Sequence, residues 1–240
     1  MTDFATTHIP VLGKDVFRLG LASNYGIDEA GVEQALDGPT NYVFWTPNQR
    51  KATAPLRRAF SRDRERYVVA AGPMTAWWGG NLRRFTEKAL RTLNTDYLDI
   101  LQMHWVGVTS SWKPGTVDEM VKLREEGKVR ALSVSIHDRQ KAGELAKDSP
   151  LDVLMIRYNA AHPGAERDIF PHLRHRNPAI IAYTATRWRK LLKRPKGWDG
   201  EVPTAGQCYR FCLSSPDVNV VLHGPASVAQ LNENIAAVQE

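Results

Sequence analysis

Short apolar runs alternate with amphipathic segments along the chain, and the alternation repeats eight times. The runs are rich in Val, Ile, Leu and Tyr and are mostly continuous, which is typical of parallel strands that are buried on both faces. The segments between them place apolar residues at helical spacing, as Leu82, Phe85, Leu90 and Leu93 do in residues 80–93. Strands are predicted at residues 16–22, 41–45, 67–72, 97–105, 129–137, 153–161, 179–186 and 218–224.

Eight strand–helix units within 240 residues predict an α/β protein with a (β/α)8 barrel, also called a TIM barrel. A doubly wound open sheet is the alternative, but its first turn is often rich in glycine, and residues 19–26 (LGLASNYG) do not match G-x-G-x-x-G. Residues 8–18 predict a β-hairpin that turns at Gly13 and closes one end of the barrel. No linker interrupts the sequence, so residues 1–240 are expected to form a single domain.

Composition and charge narrow the class of protein. The formal net charge is +6, but the basic residues are mostly spread along helices with acidic residues between them, which is typical of solvated faces and does not predict nucleic-acid binding. No apolar run approaches the roughly 20 residues that span a bilayer. Cys208 and Cys212 lie in one helical segment and are expected to be reduced packing residues. Because the amino terminus carries no secretion signal, the expected location is the cytoplasm.

The residues at the carboxyl ends of the strands are the candidates for chemistry, because the active site of such a barrel is built there. His104 ends the apolar run DYLDILQMHW, and Tyr25 follows the first strand, where its phenol can enter the barrel mouth. An arbitrary histidine is more often a buried structural residue, but its position at a strand end favours an active-site role for His104. Tyr25 either takes part in that site or packs against its wall.

The segment LRRFTEKALRTLNTDYLDILQMHW, residues 82–105, resembles the part of aldo-keto reductases that ends in the catalytic histidine of that family. The resemblance continues in EMVKLREEGKVRALSVS, YNAAHPGAERDIFPHL, AIIAYT and VNVVLHGPASVAQLNENIAAV, so it covers most of residues 80–240. It implies a (β/α)8 barrel that binds a nicotinamide dinucleotide across its mouth and transfers hydride to a small-molecule substrate. By the same resemblance, His104 stands in the place of the family's histidine.

The resemblance also implies an atypical active site. In the family a tyrosine protonates the carbonyl oxygen, and a lysine supported by an aspartate lowers the pKa of that tyrosine. Here the aspartate position falls on Trp45 or Phe44, the tyrosine position falls at or near Arg50, and the lysine position falls on Gly72. Three of the four catalytic groups are therefore expected to be missing. A working reductase would need another acid, such as Tyr25 or the basic residues that follow the second strand.

Cofactor contacts are implied at the ends of the later strands. By resemblance they are Ser135, Arg157, Tyr183, Thr184, Gly224, Ser227, Glu233 and Asn234. Tyr183 is expected to stack on nicotinamide, and Ser227 is expected to cap the last helix, whose free N–H groups suit a phosphate. Arg187 and Arg189 of the basic segment 187–196 are expected to bind a 2′-phosphate through their guanidinium groups. NADPH is therefore the expected cofactor, with NADH as the alternative, unless this segment is only a solvated loop.

Three hypotheses of function follow from these residues. The favoured one is an atypical reductase of an unknown carbonyl or of an imine-type substrate, which is already activated and needs no strong proton donor. The second is a catalytically degenerate barrel that binds a nucleotide or another small ligand as a sensor or regulatory protein. The third, a basic face that binds nucleic acid or an acidic partner, has no recognisable motif to support it. An open pocket is expected, which a second copy of the chain in a homo-oligomer would close.

Overall fold

The computed structural model describes residues 4–240, and their strands form a closed barrel and a separate two-stranded hairpin. The eight barrel strands pair in parallel in chain order, and the last of them pairs with the first. Within residues 4–240 the barrel strands are β3 (Leu19–Ala22), β4 (Tyr42–Trp45), β5 (Val68–Ala71), β6 (Leu98–Val106), β7 (Val129–Ile136), β8 (Val153–Arg157), β9 (Ala179–Tyr183) and β10 (Val220–His223). The predicted (β/α)8 barrel is confirmed.

Helices follow the barrel strands and pack on their outer side. In the described part of the chain the α-helices are α1 (Glu29–Asp37), α2 (Arg50–Asp63), α3 (Gly79–Leu93), α4 (Pro114–Glu125), α5 (Arg139–Lys147), α6 (Ala165–Asp168), α7 (Ala205–Ser214) and α8 (Val228–Gln239), and short 3-10 helices span Pro10–Leu12 and Phe170–His175. The predicted Ser227 cap of α8 is present, because its side chain accepts a hydrogen bond from the backbone N–H of Gln230. None of the helices in residues 4–240 is long and apolar enough to cross a membrane.

The hairpin consists of β1 (Thr6–Ile9) and β2 (Lys14–Phe17), which pair in antiparallel register. Its turn includes Gly13 at φ 60°, a backbone conformation that glycine adopts without strain. Ile9, Leu12 and Val16 belong to the same buried cluster as the side chains inside the barrel, so the hairpin closes one end of the barrel.

Three of the predicted strand boundaries differ from the structure by three or four residues. Residues 16 and 17 belong to the hairpin, and the first barrel strand begins only at Leu19. Strands β8 and β9 end at Arg157 and Tyr183, several residues before the predicted ends at 161 and 186. The backbone beyond these two ends forms turns, as it must where strands give way to the loops of the barrel mouth.

A fully buried carboxylate, that of Asp99 on β6, ties the hairpin to the barrel. Its Oδ1 accepts a hydrogen bond from Lys14 Nζ of the hairpin at 3.0 Å. Its Oδ2 accepts from Arg64, directly after α2, at 2.7 Å and from the backbone N–H of Val69 on β5 at 3.0 Å. Four elements therefore meet at one charge that has no contact with water.

Replacing Asp99 by asparagine should lower the free energy of unfolding by about 3–5 kcal/mol, because the partly buried Arg64 loses its only carboxylate partner among the described residues and the buried Lys14 keeps only the more distant Glu65, at 3.5 Å. The matched control is Asp37→Asn, which removes an exposed carboxylate from an ion pair with Arg62 at 2.7 Å and should cost no more than about 1 kcal/mol. Urea unfolding followed by circular dichroism measures both. Equal losses in the two variants would contradict a central role for Asp99.

Candidate active site

A cavity of about 500 Å³ opens at the carboxyl ends of β3, β9 and β10, next to α7 and α8. Its wall contains seven of the residues predicted from the sequence. They are Tyr25, Tyr183, Thr184, Arg189, Gly224, Glu233 and Asn234. The cavity offers an aromatic ring, a guanidinium group and several hydrogen-bonding side chains, so it can take a ligand with polar groups.

Five predicted residues lie outside the wall of this cavity: His104, Ser135, Arg157, Arg187 and Ser227. Ser135 is fully buried, and its Oγ accepts a hydrogen bond from the backbone N–H that follows His104, at 2.8 Å. Its role in the structure is to hold the end of β6, next to the histidine. The cavity wall therefore contains only part of the predicted site.

His104 is a neutral histidine with one free acceptor. Its ring is buried, and Nδ1 lies 2.9 Å from the carbonyl oxygen of Pro73. A carbonyl only accepts, so Nδ1 carries the proton and Nε2 keeps its lone pair. Nε2 is buried without a hydrogen-bond partner among the described residues. Burial lowers the pKa of His104, which keeps the ring neutral near pH 7.

Phe44 connects His104 to the cavity. Its ring meets the imidazole edge-on with centroids 5.3 Å apart, and it also lines the cavity wall. Trp45, the next residue, is fully buried and donates its indole N–H to Thr53 of α2 at 3.2 Å. Of the two positions considered for the family's aspartate, Phe44 is therefore the one that faces the site.

Gly72 has no room for a side chain. A Cβ atom at this residue would lie 1.5 Å from the backbone oxygen of Gln102 on the neighbouring strand. The register of β5 against β6 leads to this contact, because Ala71 lies opposite Leu101. A lysine cannot stand at Gly72 unless the two strands move apart.

The residues considered as replacement proton donors do not lie next to His104. Tyr25 is 53% exposed and packs on Gly224, where an added Cβ would meet its ring at 2.0 Å. No hydrogen bond or ring contact joins Tyr25 to His104 within residues 4–240. Arg50 and Lys51 are exposed at the start of α2 and lie outside the cavity wall.

His223 is a cavity residue that the sequence analysis did not select. It ends β10, its ring is 1% exposed, and its Nδ1 lies 3.3 Å from the amide nitrogen of Asn234. Nε2 is buried without a partner in the described part of the chain. The available signal was its position, a histidine at the end of the eighth strand, which is the same signal that selected His104.

The two candidate arginines of the loop after β9, Arg187 and Arg189, lie in different surroundings. Thr184, Arg187, Trp188 and Arg189 all have positive φ, between 51° and 65°. Arg189 lines the cavity, whereas Arg187 lies close enough to His162 for its charge to act on that imidazole. The expectation that both arginines bind one phosphate therefore applies to Arg189 alone.

The cavity lies at the carboxyl ends of the strands, which is where (β/α)8 barrels bind their ligands. A family model described as the aldo/keto reductase family matches residues 40–195. The chain belongs to the aldo/keto reductase family.

Curated relatives match over part of their length. Methylglyoxal reductase YeaE of Escherichia coli (strain K12) is 33% identical over 101 residues, which are 41% of this chain and 35% of that protein. L-galactose dehydrogenase of Arabidopsis thaliana is 23% identical over 190 residues, which are 66% of this chain and 58% of that protein. The chain thus spans about a third of one relative and less than two thirds of the other.

Solved structures match over nearly the whole chain. Aldo-keto reductase AKR11C1 from Bacillus halodurans, in its holo form, superposes with a TM-score of 0.79 at 21% identity and covers 98% of this chain and 91% of its own. An aldo/keto reductase from Klebsiella pneumoniae in complex with NADP and acetate gives 0.77 at 22% identity, covering 94% and 87%. At these identities the likeness shows the fold.

Gly72→Ala should destabilise the protein by about 1–3 kcal/mol or more, because the added methyl group forces β5 away from β6. Gly115→Ala is the matched control, since a Cβ at Gly115 meets nothing within 4 Å. Thermal unfolding of both variants, followed by calorimetry, makes the comparison. If Gly72→Ala is as stable as the control, the strand contact does not exclude side chains.

The burial of His223 should make stability depend on pH. Burial lowers the pKa of His223 from 6.5 to about 3. Between these pH values the imidazole is protonated in the unfolded chain and neutral in the folded chain. The free energy of unfolding should therefore fall as the pH drops from 6.5 toward 3, by up to about 1.4 kcal/mol per pH unit from this residue. His223→Gln should lack this component of the slope in urea unfolding between pH 7 and 4. Parallel slopes for both proteins would contradict it.

Proposed function

We propose that the protein is an NADPH-dependent oxidoreductase that reduces an imine-type substrate. The observation that carries the proposal is the cavity of about 500 Å³, whose wall contains five of the residues that the family resemblance assigns to the cofactor. The Klebsiella pneumoniae relative of the same fold binds NADP, and two relatives are named as reductases of methylglyoxal. These similarities support a nicotinamide cofactor for this chain.

The residues of the cavity fit such a cofactor. Tyr183 offers a ring face for stacking, and Arg189 offers a cation for the 2′-phosphate. The loop at Gly224 leads into the amino end of α8, where a phosphate is favoured. Near Asn234, the buried and unpartnered Nε2 of His223 supplies a polar atom for a ligand to satisfy. When bound, the nicotinamide supplies hydride.

The groups around His104 favour a substrate that already carries its proton. Reduction of a carbonyl needs a proton donor at the oxygen. Phe44 and Gly72 carry no proton to donate, and neither can lower the pKa of a neighbouring donor. His104 presents a lone pair at Nε2, so it accepts a hydrogen bond instead of donating one. An iminium N–H can donate to that lone pair once the side chains that cover Nε2, Phe44 among them, move aside. Addition of hydride to the iminium carbon neutralises the cation and yields an amine, with no proton required from the protein.

Phe44 and Gly72 also support a second candidate function. With Phe44 and Gly72 at the aspartate and lysine positions, the barrel is suited to binding a nucleotide without turnover, as a sensor or regulatory protein. Turnover separates the two candidates, since binding is common to both.

The test begins with NADPH titration, followed by quenching of tryptophan fluorescence, to which Trp188 in the cavity wall contributes. Tyr183→Ala should weaken NADPH binding by roughly 1–3 kcal/mol through lost stacking and burial. Trp198→Ala, an exposed residue outside the cavity wall, is the control and should leave the affinity unchanged. Absence of saturable binding would overturn both candidate functions.

Turnover is then measured as NADPH oxidation with 1-pyrroline, a cyclic imine, and with methylglyoxal, a carbonyl compound. We expect the imine to be reduced, and His104→Ala to abolish its reduction while changing NADPH affinity by no more than a few-fold. Saturable binding without turnover of either compound would favour the sensor. Reduction of methylglyoxal alone would refute the preference for imines.

A further inference from the structure

Exposed apolar side chains are concentrated at one end of the barrel. Ten large apolar side chains are exposed within residues 4–240, and eight of them lie in loops that follow barrel strands or at the end of β6. The eight are Tyr25, Met74, Trp77, Trp78, Trp105, Val108, Trp188 and Trp198. The other two, Val11 and Phe211, lie on the hairpin and on α7. Apolar side chains gathered on one face are typical of a surface that binds a partner.

The main cavity uses only two of these eight side chains. Tyr25 and Trp188 line its wall, whereas the other six do not. The loops that carry Trp77 and Trp105 are hydrogen-bonded to each other through Ala76, whose carbonyl accepts from the backbone N–H of Ser111 at 2.9 Å. The N–H of Ala76 donates to Oγ of Ser110, in the loop after β6, at 3.1 Å. The exposed tryptophans therefore stand on a pair of linked loops at the rim of the barrel mouth.

Positive charge lies on the other side of the mouth. Segment 187–196 follows β9, which is separated from β5 and β6 by at least two strands in either direction around the barrel. The segment contains six cations and no acidic residue, and none of the six forms an ion pair within residues 4–240. Asp199 and Glu201 follow it and offset only part of the charge. Four of the cations are exposed and lie outside the cavity wall: Lys190, Lys193, Arg194 and Lys196.

Trp198 adds an exposed ring next to these cations. It is 54% exposed, and its indole N–H donates to the carbonyl of Glu201 at 3.2 Å. Its polar group is thus satisfied within the loop, so the ring can enter an apolar layer without losing a hydrogen bond. Tryptophan is enriched at the boundary between membrane and water, and nearby lysine and arginine residues are attracted to anionic lipids. The loop after β9 combines both features.

The arrangement favours a flat and negatively charged partner. The aromatic loops and the basic segment lie on different sides of the mouth, and a planar surface can contact both at once. Two copies of the chain that met through their mouths would bring two basic segments into one interface, whereas anionic lipid neutralises the charge. Single-stranded nucleic acid is bound by aromatic side chains that line the same groove as the cations. Here Trp77, Trp78 and Trp105 lie away from the basic segment.

We propose that the mouth of the barrel docks on an anionic phospholipid surface. The four exposed cations of segment 187–196 contact the lipid phosphates, and the exposed tryptophans around the mouth enter the interfacial layer. This docking is independent of the proposed function, since it requires neither cofactor nor turnover.

The test is co-sedimentation of the full chain with lipid vesicles. One set consists of phosphatidylcholine alone, and the other of equal parts of phosphatidylcholine and phosphatidylglycerol. We expect binding to the mixed vesicles only, with a shift of tryptophan emission to shorter wavelength and a loss of affinity as salt is added. Equal binding to both sets, or no binding to either, would overturn the proposal. Tighter binding to a single-stranded oligonucleotide than to the mixed vesicles would overturn it in favour of nucleic acid.

A triple variant tests the basic segment: Lys193→Gln, Arg194→Gln and Lys196→Gln. It should weaken binding to the mixed vesicles by at least about tenfold, because each basic residue near an anionic surface contributes to the affinity. A matched control removes the same charge from exposed arginines of α2 and α3 that form no ion pair within residues 4–240: Arg57→Gln, Arg84→Gln and Arg91→Gln. The control should change the affinity by no more than about twofold. Equal losses in the two variants would show an effect of net charge alone and refute the docking surface.

The tryptophans are tested by combining Trp78→Ala with Trp198→Ala, which removes one exposed ring from each side of the mouth. The double variant should bind the mixed vesicles more weakly, whereas Val11→Ala, an exposed residue at the hairpin end, should bind them as the unchanged protein does. Circular dichroism checks that each variant is folded. Unchanged affinity in the tryptophan variant would contradict insertion into the interface. A failed docking surface loses vesicle binding, whereas a failed reductase loses NADPH binding or turnover.

Discussion

Asp99 is a carboxylate with no exposed surface, and it fixes the relation between β5 and β6. A buried charge is tolerated only when it is paired and fully hydrogen-bonded, so Lys14, Arg64 and the N–H of Val69 must all be in place. The bond to Val69 sets the register of the two strands at one end of the barrel. The same register, carried three residues further, places Gly72 against the backbone of Gln102 at the other end.

This constraint links the stability of the barrel to the chemistry of its mouth. If β5 and β6 keep the register set at Asp99, no side chain fits at Gly72, and the site has no amine at that position. Strand β6 continues to His104, whose Nδ1 is committed to the carbonyl of Pro73 in the loop after β5. The pairing of β5 and β6 therefore excludes a side chain at Gly72 and leaves Nε2 of His104 without a partner among the described residues.

The barrel could be predicted from the sequence because each strand is a continuous apolar run, whereas the strand boundaries could not. Residues 16–22 look like one run, yet the chain changes sheets at Arg18. The guanidinium of Arg18 donates to backbone carbonyls at the end of α7 and before β10, and these partners are about 200 residues away in sequence. A local pattern contains no information about such distant partners.

The cavity wall was largely predictable, because strand ends in a barrel converge whatever lies between them. The directions of the side chains in the loops could not be predicted from the sequence. Arg187 and Arg189 differ by two positions, but in a loop with positive φ values Arg189 lines the cavity and Arg187 lies near His162 instead. The sequence assigns no role to His137 at its strand end, because the hydroxyl of Tyr183 and the charge of Arg157 that act on it belong to other strands.

Tyr183 places a hydroxyl near the candidate site, but this phenol is a poor proton donor. Burial raises the pKa of Tyr183 to about 12, even though the charge of Arg157 acts in the opposite direction. A phenol with such a pKa transfers its proton less readily than an unperturbed one, and its hydroxyl is engaged with His137. Tyr183 is suited to contact a ligand in the cavity. A histidine acceptor and a reluctant phenol therefore support the proposed protonated substrate over a neutral carbonyl.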